Sequence, residues 1–156
     1  MKPGVAVRDA KQHDLREIRE LLGRHALPTA DLDSSQVHFV VARDGAALVA
    51  AGGLEIHGSA GLLRSIVVAD RHRRSGLGRA LVSHVETLAR RRGVEELVLL
   101  TESAGAFFAR LGYTDIARDR APESVRDSAE FKSLCPLSAR CMQKRLATGR
   151  GAAKPR

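Results

Sequence analysis

The sequence predicts an α/β (α+β) domain, with a central sheet of about seven strands flanked by helices. Three observations carry this expectation. Apolar runs of strand length recur along the chain. Three other segments carry apolar residues at helical spacing. Glycine-containing turns punctuate both kinds.

Taken in order, Val5 to Arg8 alternates and reads as a first strand. Gln12 to Arg24 has Leu15, Ile18, Leu21 and Leu22 on one helical face, with Asp14 near its positive end. His25 to Gln36, with Pro28, Thr29, Asp31, Asp33 and Ser34, reads as a loop. Val37 to Arg43, Ala46 to His57 and Leu62 to Ala69 form a run of three antiparallel strands. Asp44-Gly45 turns the first pair and Gly58 to Gly61 the second. Leu77 to Arg92 places Leu81, Val82, Val85, Leu88 and Ala89 on one helical face and stops at Gly93. Glu96 to Thr101 reads as a buried strand, and Ala104 to Leu111 as a helix ended by Gly112. Strands at Tyr113 to Ala117 and Ala139 to Leu146 complete the order.

The 156 residues suit one domain, read as 1–147 with a flexible basic tail at 148–156 that carries Arg150, Lys154 and Arg156. A formal charge of +8 favours polyanionic partners, but aromatics are only 3%, which argues against a base-stacking nucleic-acid binder. No apolar run reaches the ~18 residues of a membrane span, and no signal segment is visible. Cys135 and Cys141 match no zinc spacing, so no metal is expected, and both are read as reduced thiols in the cytoplasm.

The chemistry concentrates at Arg73-Arg74-Ser75-Gly76-Leu77-Gly78, where a strand gives way to a helix. The first amides of a helix have no partners within it and lie at the positive end of its dipole. A phosphate can take them, and glycine allows its close approach. Arg71, Arg73, Arg74 and Arg79 add charged donors. A pyrophosphate-bearing ligand such as acetyl-coenzyme A meets these demands.

Arg73-x-x-Gly76-x-Gly78 resembles the [Q/R]-x-x-G-x-[G/A] signature of the GNAT family of N-acetyltransferases. The segment from Ala104 to Tyr113, A-G-A-F-F-A-R-L-G-Y, resembles the family's A-x-x-F-Y-x-x-x-G-[FY] hallmark. The resemblance spans about Val5 to Leu146. It implies a mixed sheet splayed between the strand before the loop and the strand after the long helix. The pantetheine arm of acetyl-coenzyme A would lie in the splay against the backbone of Ile66, Val67 and Val68. The pyrophosphate would sit on the amides of Arg74, Ser75, Gly76, Leu77, Gly78 and Arg79. Two positions depart from the pattern. Phe108 stands where the family commonly has a tyrosine that protonates the leaving thiolate, and Thr101 where relatives often have asparagine. Tyr113 occupies a position that is normally a core aromatic.

Glu55 is the candidate general base: it lies beside the strand that would line the acetyl group, among small and apolar neighbours that desolvate it. Arg64 and Ser65 interrupt an apolar strand. Arg64 reads either as a clamp for a substrate carboxylate or as an ion-pair partner of a neighbouring strand, Glu55 included.

Leu27 to Leu32, Leu62 to Ser65 and Glu130 to Met142 together resemble the arsenic-resistance-associated branch of the family. That resemblance implies a small amino-acid-like amine as acceptor, with Thr29, Arg64 and Ser65 toward it. Two thiols are also soft ligands that trivalent arsenic could take, against the ordinary reading of buried structural cysteines. The expected activity is acetyl transfer to a small-molecule amine. The alternatives are a non-catalytic sensor of acetyl-coenzyme A or arsenic, and a protein N-acetyltransferase. An exposed final strand is compatible with a homodimer.

Overall fold

A computed structural model describes residues 4–147. The basic tail expected at 148–156 lies outside the described residues. Seven strands form one sheet: β1 (Ala6–Asp9), β2 (His38–Asp44), β3 (Ala47–His57), β4 (Ala60–Val68), β5 (Glu96–Thr101), β6 (Thr114–Asp115) and β7 (Arg140–Arg145). Their spatial order is β1-β2-β3-β4-β5-β7-β6. Every neighbouring pair is antiparallel except β4 and β5, so the sheet is mixed.

Helix α1 (Leu15–Arg24) follows a 3-10 turn at Gln12–Asp14 and buries Ile18, Leu21 and Leu22. These pack on Phe39, Val41, Leu48, Ala51 and Val67 on one face of the sheet. Helix α2 (Leu77–Arg91) buries Leu77, Leu81, Val82, Val85, Leu88 and Ala89 against Val40, Val49, Leu54, Leu63 and Leu97 on the other. Each buried Leu or Val contributes roughly 2 kcal/mol of transfer free energy. The alternation of a strand explains the split: Leu63 joins the α2 core, and Leu62 joins a third cluster on the opposite face.

That third cluster is closed by a segment without a strong sequence signature. Helix α3 (Gly105–Arg110) and β6 lead into a short helix α4 (Glu123–Arg126) and a π-helical turn at Glu130–Leu134. Ala121, Val125 and Phe131 cover Leu62, Val98 and Cys141.

Three expectations need correction. The strand drawn over Tyr113 to Ala117 contracts to Thr114–Asp115, because the Tyr113 amide closes α3 on the Phe108 carbonyl and a 3-10 turn follows Ala117. The final strand is not an open edge: β7 lies between β5 and β6, and the edges are β1 and the two-residue β6. A helix and a π-helical turn occupy part of the stretch that carried no assignment. Among the described residues, no helix is long and apolar enough to cross a membrane.

Two irregularities position the site. On β3 and β4, Ala51 pairs with Val67 but Gly53 pairs with Arg64, so Ser65 and Ile66 face the single residue Gly52. This bulge places Ser65 at φ +58°, a conformation that costs on the order of 1–3 kcal/mol for a residue with a Cβ. The second is the parallel seam. β4 and β5 pair only at Ala60–Glu96, Gly61–Leu97 and Leu62–Val98. Beyond Leu62 and Val98 the two strands part, which is the splay the resemblance implies.

Candidate active site

The splay opens into two adjoining clefts. The first, of about 830 Å3, is lined by Ile66, Val67 and Val68 of β4, by Arg73, Arg74, Gly76, Gly78 and Arg79 of the loop and α2, and by Ala104, Phe107 and Arg110 around α3. Four arginines line it and no carboxylate does. Arg73 is partly engaged by Asp70 at 3.5 Å and by the Val68 carbonyl at 3.3 Å. Among the described residues, Arg74, Arg79 and Arg110 have no carboxylate within ion-pair distance.

The loop backbone explains why these residues make a cradle. Arg74 and Gly76 take φ values of +62° and +87°, so the chain doubles back before the helix begins. Alternation of this kind turns successive amides toward one side and makes an anion-binding concavity. The helix's first hydrogen bond runs from the Ala80 amide to the Gly76 carbonyl, and the amides of Leu77, Gly78 and Arg79 precede it. Ser75 and Leu77 do not line the cleft. The Ser75 hydroxyl donates to the His72 carbonyl at 2.5 Å, and Leu77 is a core residue. What these two offer the cleft is backbone.

The second cleft, of about 510 Å3, lies deeper in the splay. Leu63, Arg64, Ser65 and Ile66 of β4 form one side, and Leu99, Leu100 and Thr101 of β5 the other. Ile66, Ala104 and Phe107 belong to both clefts, as do His25 and Leu27 from the loop after α1. Leu134, Cys135 and Ala139 close the far side.

The second motif divides its labour. Phe107 stands at the junction of the clefts, while Phe108 lines only the second, is mostly buried and stacks edge-on against Tyr113 at 5.6 Å. The Thr101 hydroxyl accepts from the Ala104 amide at 3.0 Å and so fixes the turn into α3. Tyr113 donates to Glu86 Oε2 at 2.7 Å, and Lys144 holds the same carboxylate at 3.0 Å. Burial pushes the Tyr113 hydroxyl well above its ordinary range, so it stays protonated.

The acidic and basic candidates of β3 and β4 meet in one cluster. The Arg64 side chain is fully buried. Its Nη1 donates to Asp31 Oδ2 at 2.6 Å and Glu55 Oε2 at 2.7 Å, and its Nη2 to Asp31 Oδ1 at 2.9 Å. Its Nε donates to Ser65 Oγ at 3.1 Å and lies 3.4 Å from Glu130 Oε1. Arg64 is therefore the ion-pair partner of Glu55, the second of its two sequence readings. Four of its five N–H groups are turned on the chain's own oxygens. Glu55 is 4% exposed, in line with the desolvation expected of it, but its other oxygen meets His57 Nε2 at 2.9 Å and it lines neither cleft. Thr29 lines neither cleft; its carbonyl accepts from the Leu32 amide. Burial, reinforced by Glu55 and Asp31 and opposed by Arg64, raises Glu130 to about 7.

Sequence reasoning passed over Asp31, Glu130, Phe107 and Arg110 as site residues. All four lie in segments that carried the resemblances or motifs, but nothing local marks which side chain turns inward. Burial pushes the thiol of Cys135 up to about 12 and that of Cys141 to about 11. Among the described residues, no three His, Cys, Asp or Glu side chains are grouped to hold a metal ion.

Comparison with known proteins places this geometry. Residues 35–115, just over half of the chain, match the Acetyltransferase (GNAT) domain model. An uncharacterized N-acetyltransferase, CT2212, of Chlorobaculum tepidum is 35% identical over 80 residues, covering 51% of this chain and 48% of the relative. The chain thus spans about half the length of that curated relative. Rv2747 of Mycobacterium tuberculosis, solved with CoA and NLQ, is 25% identical with a TM-score of 0.73, over 90% of this chain and 99% of that one. N-acetylglutamate synthase of Neisseria gonorrhoeae, solved with coenzyme A and N-acetyl-glutamate, superposes with a TM-score of 0.77 at 21% identity, over 94% of this chain and 36% of its own. The seven-stranded mixed sheet, the splay at β4 and β5 and the matched residues agree: the chain belongs to the GNAT acetyltransferase-domain family.

Proposed function

We propose that the protein transfers the acetyl group of acetyl-coenzyme A to the amine of a small molecule. The observation that carries this is the first cleft: three arginines with no ion-pair partner and no lining carboxylate among the described residues, and free helix amides, continuous through Phe107 with a second cleft in the splay. Arg74, Arg79, Arg110 and the amides at Gly76 to Arg79 would hold the phosphates. Acetyl-coenzyme A supplies an activated thioester. In the transfer a C–N bond forms, the C–S bond breaks, the amine loses a proton and coenzyme A leaves as the thiol or thiolate. Tyr113 is spent on Glu86 and Phe108 has no proton to give, so water or the thiolate's own stability serves the leaving group.

Glu55 is the carboxylate we assign as base. It reaches the second cleft only by way of Arg64, so the assignment rests on one measurement. Unchanged kcat/KM across pH in Glu55→Gln removes it from the role.

An amino-acid-like acceptor is the finer form of this reading. It draws support from the resemblance to the arsenic-resistance branch and from the N. gonorrhoeae neighbour's N-acetyl-glutamate complex. Action in the cytoplasm and as a homodimer belongs to the same reading, with the edge strands β1 and β6, rather than β7, open to a second copy. The sensor alternative leans on Phe108 and the two thiols, but burial that holds both thiols protonated disfavours direct arsenic capture. Thermal stabilisation by acetyl-coenzyme A, abolished by Gly76→Glu, tests the cleft. Release of coenzyme A with a panel of amino acids, phosphinothricin included, separates enzyme from sensor. A protein with no stabilisation by acetyl-coenzyme A overturns the reading.

A further inference from the structure

We propose that Arg64 is a positioning residue, whose guanidinium fixes both flanking walls of the second cleft through Asp31 on one side and Glu130 on the other. Calling that cleft the acceptor site rests on the function proposed above; the positioning role does not.

The two walls are the irregular parts of the domain. One is the loop between α1 and β2, which has no strand partner and carries His25 and Leu27 into both clefts. Asp31, on this loop, is 5% exposed and is held bidentately by Arg64, with Ser35 donating to it at 2.6 Å. The other wall is the π-helical turn and the chain after it, which carry Leu134 and Cys135 into the second cleft. Glu130 is the first residue of that turn and lies at 3.4 Å from Arg64. Glu55 anchors the guanidinium to the sheet, and the bulge at Ser65 supplies its fourth acceptor. One side chain thus joins the sheet to two segments that ladder hydrogen bonds do not reach, the second of which Arg118 also holds through the carbonyls of Phe131, Cys135 and Pro136.

Stability alone does not account for this arrangement. Burying an arginine among three carboxylates carries a desolvation cost that apolar side chains of similar volume avoid, and replacement by such residues is often neutral or stabilising. What apolar residues do not supply is direction: a planar fork whose hydrogen bonds set where Asp31 and Glu55 stand, with its positive charge beside Glu130. A wall held this way opens locally, below the free energy of global unfolding, when the fork is removed.

The test compares wild type, Arg64→Met, and a charge-free variant combining Asp31→Asn, Glu55→Gln, Arg64→Met and Glu130→Gln. Hydrogen–deuterium exchange reads both walls, and the rate of Cys135 modification by DTNB, resolved by peptide mapping, reads the second directly. The amides of α2, which packs on the opposite face of the sheet, serve as the internal control. The expected result is a variant that melts cooperatively, with amides of residues 25–36 and 130–139 exchanging faster and Cys135 reacting about tenfold faster or more, equivalent to ~1.4 kcal/mol of lost local protection. The α2 amides stay protected, and coenzyme A affinity changes far less because the phosphate loop does not touch Arg64. A cooperatively folded variant with wild-type exchange in both walls and unchanged Cys135 reactivity overturns the proposal. So does failure of both variants to fold, which makes the cluster a stability element. Failure of wild type to bind coenzyme A would strike the proposed function and leave the exchange result standing.

Discussion

The ring of Phe107 lies against Gly78 so closely that a β-carbon there would meet Phe107 Cζ at 3.2 Å. The two sequence motifs of this protein therefore touch. Gly78 is glycine for want of space, whereas Gly76 is glycine for its φ of +87°, with open space around its missing Cβ.

These two reasons give different outcomes. Gly76→Ala is strained in the backbone and should lose about 1 kcal/mol of stability in chemical denaturation. Gly78→Ala gains about as much helix propensity as the crowding costs, so its stability should barely move. Its effect should appear in coenzyme A affinity, through the displaced Phe107 ring at the junction of the clefts. A calorimetric titration showing Gly78→Ala unstable but binding normally would contradict this division.

Tyr113 is a core residue with a polar tip. Tyr113→Phe removes the donor to Glu86 but leaves Lys144 on that carboxylate. The expected cost is about 1–2 kcal/mol of stability, with kcat within about twofold of wild type. A large fall in kcat at unchanged stability would instead make the phenol the proton donor.

Glu130 gives a pH dependence with a definite sign. Its carboxyl titrates at about 7 in the fold, against an ordinary 4.5. Below pH 4.5 it is protonated in both states and costs nothing. As pH rises the unfolded chain ionises first, so folded stability declines until the folded group has also ionised, just above pH 7. The difference amounts to about 3 kcal/mol. Glu130→Gln should lack this decline, so that it gains on wild type between pH 5 and pH 8 in denaturant titrations. Parallel pH profiles for the two proteins would show that Glu130 is ionised throughout.

Much of this was legible in the sequence, for physical reasons that can be named. Strands β2 to β4 declare themselves as apolar runs because both of their faces are covered, and helix α2 because it buries one regular face; their turns need Gly45, Gly58 or Gly93 at positive φ. The phosphate loop is legible because its function is backbone geometry, which glycine spacing records. Arg64 was legible only as a pair of alternatives: its oddness in an apolar strand is local, but its partners Asp31 and Glu130 lie 33 residues before it and 66 after it. The segment covering β5 and β7 escaped notice because Val125 and Phe131 contribute single buried side chains and no periodic run. Tyr113 reads as a strand residue, but its amide is taken by the Phe108 carbonyl at the end of α3.

The short seam between β4 and β5 also bears on how the chain folds. β2, β3 and β4 are joined by tight turns, and their contacts are close in sequence. Joining β5 to β4 instead closes a loop that contains the whole of α2, for only three residue pairs of ladder. Contacts of that separation form late and slowly, because the loop-closing entropy precedes the reward. The two half-sheets meet at a weak junction, and both clefts lie along it. A ligand seated there touches each half and binds only when they are joined, so occupancy holds the halves together by mass action.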